Sequence, residues 1–360
     1  MFRILRFPGN INLMRKAVTL RPRLRGFNGL MQPSEVASHF QPVSKNNIEA
    51  LLARVAAGVT DPRAGIFGPD SISWRINRES ALFLGAGRAA LLQLAHPWVA
   101  AALRQHSSLL NQPVARFHNT FRIVFTMVFG TLDQALAAAR HLYSLHTRIT
   151  GDLTEDIAGW KRGDHYEANE INALRWVFAT LVDSALLAYE SVFGALPSQD
   201  RERFYHEAKT LAALFGIPAA SLPANLEDFS AYFQAMCTAG DSSGALGVNA
   251  DARAMAGNLL QGAGSWIRPP RWYRALTTSW LPVRLREEFH LSFSPADQLS
   301  AARALRRIPS VCRRFPAALR FIGPWHEAQA RLVGRRLGLI GRLANRFWIG
   351  AARMPFDREE

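Results

Sequence analysis

The sequence predicts an all-α fold, a single helical-bundle domain, and three observations carry that prediction. Apolar residues recur at spacings of three and four through most of the chain from residue 46 onward. Capping residues precede these runs, and glycine or proline follows them. Strand-like alternation is scarce, and no repeat with a period of about 20 to 50 residues occurs. The expected organisation is a basic N-terminal arm (1-45), an all-α domain (46-330) and a basic C-terminal helical extension (331-360).

The first element is a short amphipathic helix over 46-57, NNIEALLARVAA, followed by the loop TDPRAGIFGPDSIS. The next run, RESALFLGAGRAALLQLAHPWVAAALRQHS, is apolar on most faces, as a core helix is. Within it Gly85 and Gly87 allow close packing or a break, and Pro97 kinks the helix or ends it near Ala95. A helix over 116-129 stops at Gly130, and Thr131 and Asp133 offer caps for another over 133-149. A long helix over 168-193 closes at Gly194, and the next runs from Ser198 to Phe215. Ser294 before Pro295 has the order of an N-cap and first helical residue. A last helix is expected over 325-353. It sets Arg331, Arg335, Arg336, Arg342, Arg346 and Arg353 against Leu332, Leu339, Ile340, Leu343, Phe347 and Trp348. Two roles are open to it, lying on a membrane surface or docking on the domain.

Composition narrows the function classes. With 49% apolar and 20% charged residues the chain is globular rather than disordered. Cys237 and Cys312 are too few for a disulfide framework or a cysteine-rich zinc site, and they read as core thiols. The net charge is +15, and only four of the 43 basic residues are lysines. Such a surface favours anionic partners. The absence of helix-turn-helix, zinc-finger and RNP patterns argues against nucleic acid and leaves a lipid surface as the better candidate. No run reaches about 18 consecutive apolar residues, so no transmembrane helix is predicted. The first 26 residues carry seven basic groups and no acid precedes Glu35, with no secretory h-region. In a eukaryote this would pass for a mitochondrial presequence; otherwise it is a basic arm, and the expected location is cytoplasmic or peripheral to a membrane.

Chemistry-bearing residues are few. In PVARFHNTF, helical spacing puts Arg116, Asn119 and Thr120 on one face, with His118 turned away. Because FRIVFTMVF follows, the cluster is expected at a buried edge, as either a functional site or a capping network. In the next helix Leu136, Ala139, Leu142, His146 and Ile149 form the inward stripe. His146 is therefore a satisfied core histidine or an axial ligand of the kind a haem iron takes. His141 lies off that face, so the pair makes a poor chelate. No carboxylate occurs between Glu79 and Asp133, no G-x-S-x-G is present, and GAGRAA lacks the spacing of a dinucleotide loop. Asp183, in LVDSALL, is expected to be buried and to pair with an arginine or orient a neighbour.

The ordered set LFLGAGRAALLQLAHPWVAAALRQHS, ARFHNTFRIVFTMVFGTLDQALAAARHLYSLHTRITG, LRWVFATLVDSALLAYE and DRERFYHEAKTLAALFGIP resembles the MpaB and latex-clearing-protein (rubber oxygenase) family over about residues 70 to 325. The resemblance implies a b-type haem enclosed by the bundle, with a proximal histidine and a distal arginine-x-x-lysine-threonine face. It further implies dioxygen and a hydrophobic substrate, isoprenoid or lipid-like. His146 in SLHTRITG matches the proximal ligand, and Arg116 and Thr120 match the distal pair. Asn119 stands where relatives carry lysine; an amide is a poor iron ligand, which leaves that position to water or another side chain. The glutamate upstream of the arginine in rubber oxygenases has no counterpart here, which argues against polyisoprene as substrate. The resemblance makes Phe117, Phe121 and Trp98 candidates for an apolar substrate wall. His96, His106 and His118 are reserve distal ligands. A helical, membrane-peripheral binding protein without catalysis is the alternative.

Overall fold

A computed structural model describes residues 40-106, 113-239, 246-263 and 268-356. The expected basic arm, up to residue 39, lies outside the described residues. Among those described are sixteen α-helices and a single two-stranded antiparallel sheet, so the fold is all-α.

Helix α1 (Lys45–Ala57) starts at Ser44, whose hydroxyl accepts a hydrogen bond from the Asn47 N–H at 3.2 Å. It buries Ile48, Leu51 and Leu52. Helix α2 (Ile72–Asn77) buries Trp74, whose indole donates to the Val128 carbonyl at 2.8 Å. The apolar run expected as one broken helix is three elements: a 3-10 turn (Ser80–Leu84), α3 (Ala86–Leu94) and α4 (Pro97–His106). Pro97 ends α3 near Ala95, as its missing N–H and ring dictate. Gly85 permits close packing, since a Cβ there would lie 2.6 Å from the Ser184 carbonyl oxygen.

Helices α5 (Pro113–Phe129) and α6 (Leu132–His146) form a hairpin through Gly130 and Thr131. Thr131 and Gln134 make a reciprocal capping box at the start of α6. Strands β1 (Thr150–Asp152) and β2 (His165–Glu167) then pair antiparallel.

Helix α7 (Ile171–Phe193) is the spine of the main core, with Trp176, Phe178 and Ala188 almost wholly enclosed. Among the described residues it is the helix long and apolar enough to cross a membrane, with mean hydropathy 1.3. However, 67% of that window is buried inside the fold, which marks a core helix. After it come α8 (Ser198–Leu214), α9 (Leu226–Thr238), α10 (Ala250–Gln261), α11 (Arg271–Ser279) and α12 (Val283–Glu288). Helix α3, the 3-10 turn and α8 pack directly on the spine, and Trp176 stacks on Phe233 of α9 at 5.4 Å. Ser294 and Asp297 cap α13 (Pro295–Arg314), with Pro295 in the expected first position.

The single C-terminal helix expected over 325-353 is instead two. After the short α14 (Ala317–Arg320), α15 (Gly323–Leu332) and α16 (Leu339–Ile349) are separated by a turn in which Gly334 adopts φ +68°. That left-handed residue reverses the chain, so α16 folds back on α15 and α5. Its buried Asn345 donates to the Ala352 carbonyl at 3.2 Å and to Glu327.

Candidate functional site

The site is built on the α5–α6 hairpin. Arg116 lies thirteen residues before the end of α5, and His146 lies fourteen after the start of α6. Two antiparallel helices joined by so short a turn bring residues equally far from the turn side by side. The turn itself is fixed against the loop after α1. The Leu132 N–H donates to the Pro62 carbonyl at 2.9 Å, and a Cβ on Gly65 would lie 2.1 Å from the Gly130 oxygen.

The charges confirm the juxtaposition. The His146 pKa is pushed down to about 4, first by burial and then by the Arg116 guanidinium. Arg116 is itself lowered by burial. Both residues nonetheless keep accessible surface. The two side chains thus lie near one another, each largely surrounded by protein and each keeping some accessible surface. No hydrogen bond to the His146 ring occurs among the described residues, and its lowered pKa leaves the imidazole neutral at pH 7.

Several expectations need correction here. Helix α6 ends at His146 rather than at 149, because the backbone turns at Thr147 and the Ile149 carbonyl accepts from the Ala168 N–H at 3.0 Å. Asn119 and Thr120 share the Arg116 face but are exposed instead of sitting at a buried edge. Burial along α5 sets in only at Phe125, more than a turn later. His118 does point elsewhere: its Nε2 lies 3.0 Å from the Phe347 carbonyl of α16.

The candidate wall residues do not gather into one surface. Phe117 and Phe121 pack on Phe83 at ring-centroid distances of 5.3 and 4.7 Å, and Phe83 stacks on Trp348 of α16 at 4.4 Å. Trp98 belongs to another cluster, 4.5 Å from Trp160 and 6.2 Å from His96. The reserve histidines divide likewise. His106 is exposed, with Nε2 3.0 Å from the Thr150 carbonyl. His96 is 1% exposed, its Nδ1 has no partner, and burial pushes its pKa down to about 4.

Carboxylates are otherwise engaged. Glu79, 1% exposed, takes both oxygens to Arg320 at 2.6 and 2.7 Å. Asp183 is half-exposed rather than buried; its partner Arg88, at 2.6 Å, is the buried member, and that guanidinium also donates to Ser184 and the Trp280 carbonyl. Cys237 is buried and its thiol is pushed up to about 12, whereas Cys312 is only half-buried. No group of three His, Cys, Asp or Glu able to chelate a metal occurs among the described residues. A side chain whose role pattern alone missed is Trp348, which clamps α16 to the aromatic face of α5. Its signal was its position about 100° around the helix from Phe347, off the exposed apolar stripe.

Comparison with known proteins returns no curated protein and no solved structure that matches. One family model does match, described as the ER-bound oxygenase mpaB/B'/rubber oxygenase, catalytic domain, over residues 74–314. That segment is well over half of the 360-residue chain and contains both helices of the hairpin, so the chain belongs to the mpaB/rubber oxygenase catalytic-domain family.

Proposed function

We propose that the protein is a haem b-dependent oxygenase that takes dioxygen and a hydrophobic small molecule, isoprenoid or lipid-like, with His146 as the proximal iron ligand. Membership in an oxygenase catalytic-domain family supports the reaction class. The observation that carries the finer reading is the neutral His146 imidazole, with no hydrogen bond among the described residues and close enough to Arg116 to feel its charge. A haem iron needs one such imidazole, because the porphyrin supplies four nitrogens. The residues present therefore fit the group.

When bound, haem supplies the oxygen chemistry; the chain supplies ligation, charge and shape. His146 offers its lone pair because desolvation holds the ring neutral. The Arg116 guanidinium, which keeps its proton at any physiological pH, can hold a propionate or a partly negative oxygen by charge-assisted hydrogen bonds. Asn119 and Thr120 lie on the Arg116 face and are exposed, so their amide and hydroxyl can donate to a bound molecule. Asn119 has no basic nitrogen to offer the iron, so it orients water or substrate rather than ligating.

The test is an absorption spectrum of protein produced with haem supplementation. A Soret band is expected in the wild type and in His96→Ala, and its loss or gross alteration in His146→Ala. No band in the wild type would overturn haem binding, and an unchanged band in His146→Ala would overturn the ligand assignment. Oxygen uptake with candidate terpenoids then separates a catalyst from a binder.

A further inference from the structure

Helix α16 lies outside the family-matched segment, so its properties belong to this chain. One face is committed to the fold. Trp348 stacks on Phe83, the Ile349 carbonyl accepts from Arg122 Nε at 2.9 Å, and Asn345 is wholly buried. The opposite face is apolar and open: Leu339 is 71% exposed, Ile340 70%, Leu343 52% and Phe347 58%. At helical spacing these four make one stripe about 100° wide, with Arg346 and then Arg342 along one edge. Arg335, Arg336 and Arg353, all exposed, flank the helix in sequence, and no acid occurs anywhere from 328 to 356.

Charge decides what can cover this stripe. A second copy would bring one arginine-bordered face against another. The chain's own first 34 residues carry seven basic groups and no acid, so they offer these arginines no countercharge. An anionic bilayer surface satisfies both parts, with acyl chains taking the leucines and phenylalanine and headgroups taking the guanidinium groups. Eleven residues are too few to span a bilayer but ample to lie along its surface.

We propose that α16 docks the protein on anionic lipid bilayers, its Leu339–Ile340–Leu343–Phe347 stripe entering the headgroup–acyl boundary. Because α16 rests on α5, docking sets the helix bearing Arg116 beside the lipid phase from which an apolar substrate would come. The docking itself does not depend on haem.

The test is co-sedimentation of the full-length protein with phosphatidylcholine vesicles, with and without about one-quarter phosphatidylglycerol. Binding is expected only with the anionic lipid and is expected to weaken with salt. Ile340→Glu/Leu343→Glu should lower the partition coefficient about tenfold or more. Arg335→Gln/Arg346→Gln should remove most of the dependence on phosphatidylglycerol. All these side chains are exposed, so circular dichroism and melting temperature should not change. Wild-type binding in both the wild type and Ile340→Glu/Leu343→Glu would overturn the proposal. So would a wild-type dimer in sedimentation velocity that this double variant disperses while vesicles capture neither form.

Discussion

His96 shows what a single buried imidazole costs. Its ring is 1% exposed, Nδ1 has no partner, and burial pushes its pKa down to about 4. In the unfolded chain the value returns to the ordinary one near 6.5. Between those values the unfolded state binds the extra proton, so stability is complete above about pH 6.5 and falls as pH drops toward 4. The full loss is about 3 kcal/mol. In the haem-free protein His146 adds a second contribution of the same sign. Urea midpoints measured from pH 7 down to 4.5 should therefore fall, and His96→Leu should flatten about half of that slope. At pH 7 the substitution should be neutral or slightly stabilising, because it removes an unpaired buried polar atom. An unchanged acid slope in the variant would assign the sensitivity elsewhere.

At the scale of elements, the α5–α6 hairpin matters most, because its turn sets the level at which Arg116 meets His146. Gly65, itself at φ +78°, abuts that turn, with the Gly130 carbonyl oxygen where a Cβ would be. Gly65→Ala should therefore cost more than about 2 kcal/mol in urea unfolding, since it combines backbone strain with a clash against main chain. Gly68 is a control with φ +73° and no atom nearer than 3.9 Å to its Cβ position. Its alanine variant should lose only about 1 kcal/mol, the conformational part. Equal losses would show that close approach to Gly130 contributes nothing. Much of this hairpin is legible in sequence. The Thr131 cap depends on neighbours three residues away. The expected Leu136–Ala139–Leu142–His146 stripe is rotated, because Gln134, Ala135, Ala138 and Ala139 are the buried positions while Leu136, Leu142 and His146 are only partly covered. That α6 stops at His146 is not legible, because the pairing of β1 with β2 and the Ile149–Ala168 bond depend on a segment about a turn and a loop farther on.

Over the whole molecule, a few long-range polar contacts tie the chain's end to its beginning. Arg320 Nε and Nη2 reach Glu79 from 241 residues away, and the His118–Phe347 contact closes 229 residues. Glu79 is fully enclosed, and its other cation, Arg78, is 3.9 Å away. Arg320→Leu therefore removes both close hydrogen bonds from a buried carboxylate and should cost about 3 kcal/mol in thermal or urea unfolding. Replacing both members, Glu79→Leu/Arg320→Leu, should restore most of that loss. A double variant no better than the single one would mean that the pair contributes by attraction rather than by avoiding a stranded carboxylate.

The sequence by itself determined the helical class, most helix starts and stops, and that Arg116, Asn119 and Thr120 share one face of α5. Those follow from periodicity, caps and proline, which act over a few residues. Only the tertiary structure decided that Phe117 and Phe121 pack toward Trp348 while Trp98 joins Trp160. It also decided that Glu79 is taken up by Arg320, and that the basic C-terminal segment breaks at Gly334 to lay α16 on α5 with its leucines outward. Each of these depends on which distant surfaces meet, and local spacing holds no record of the partner.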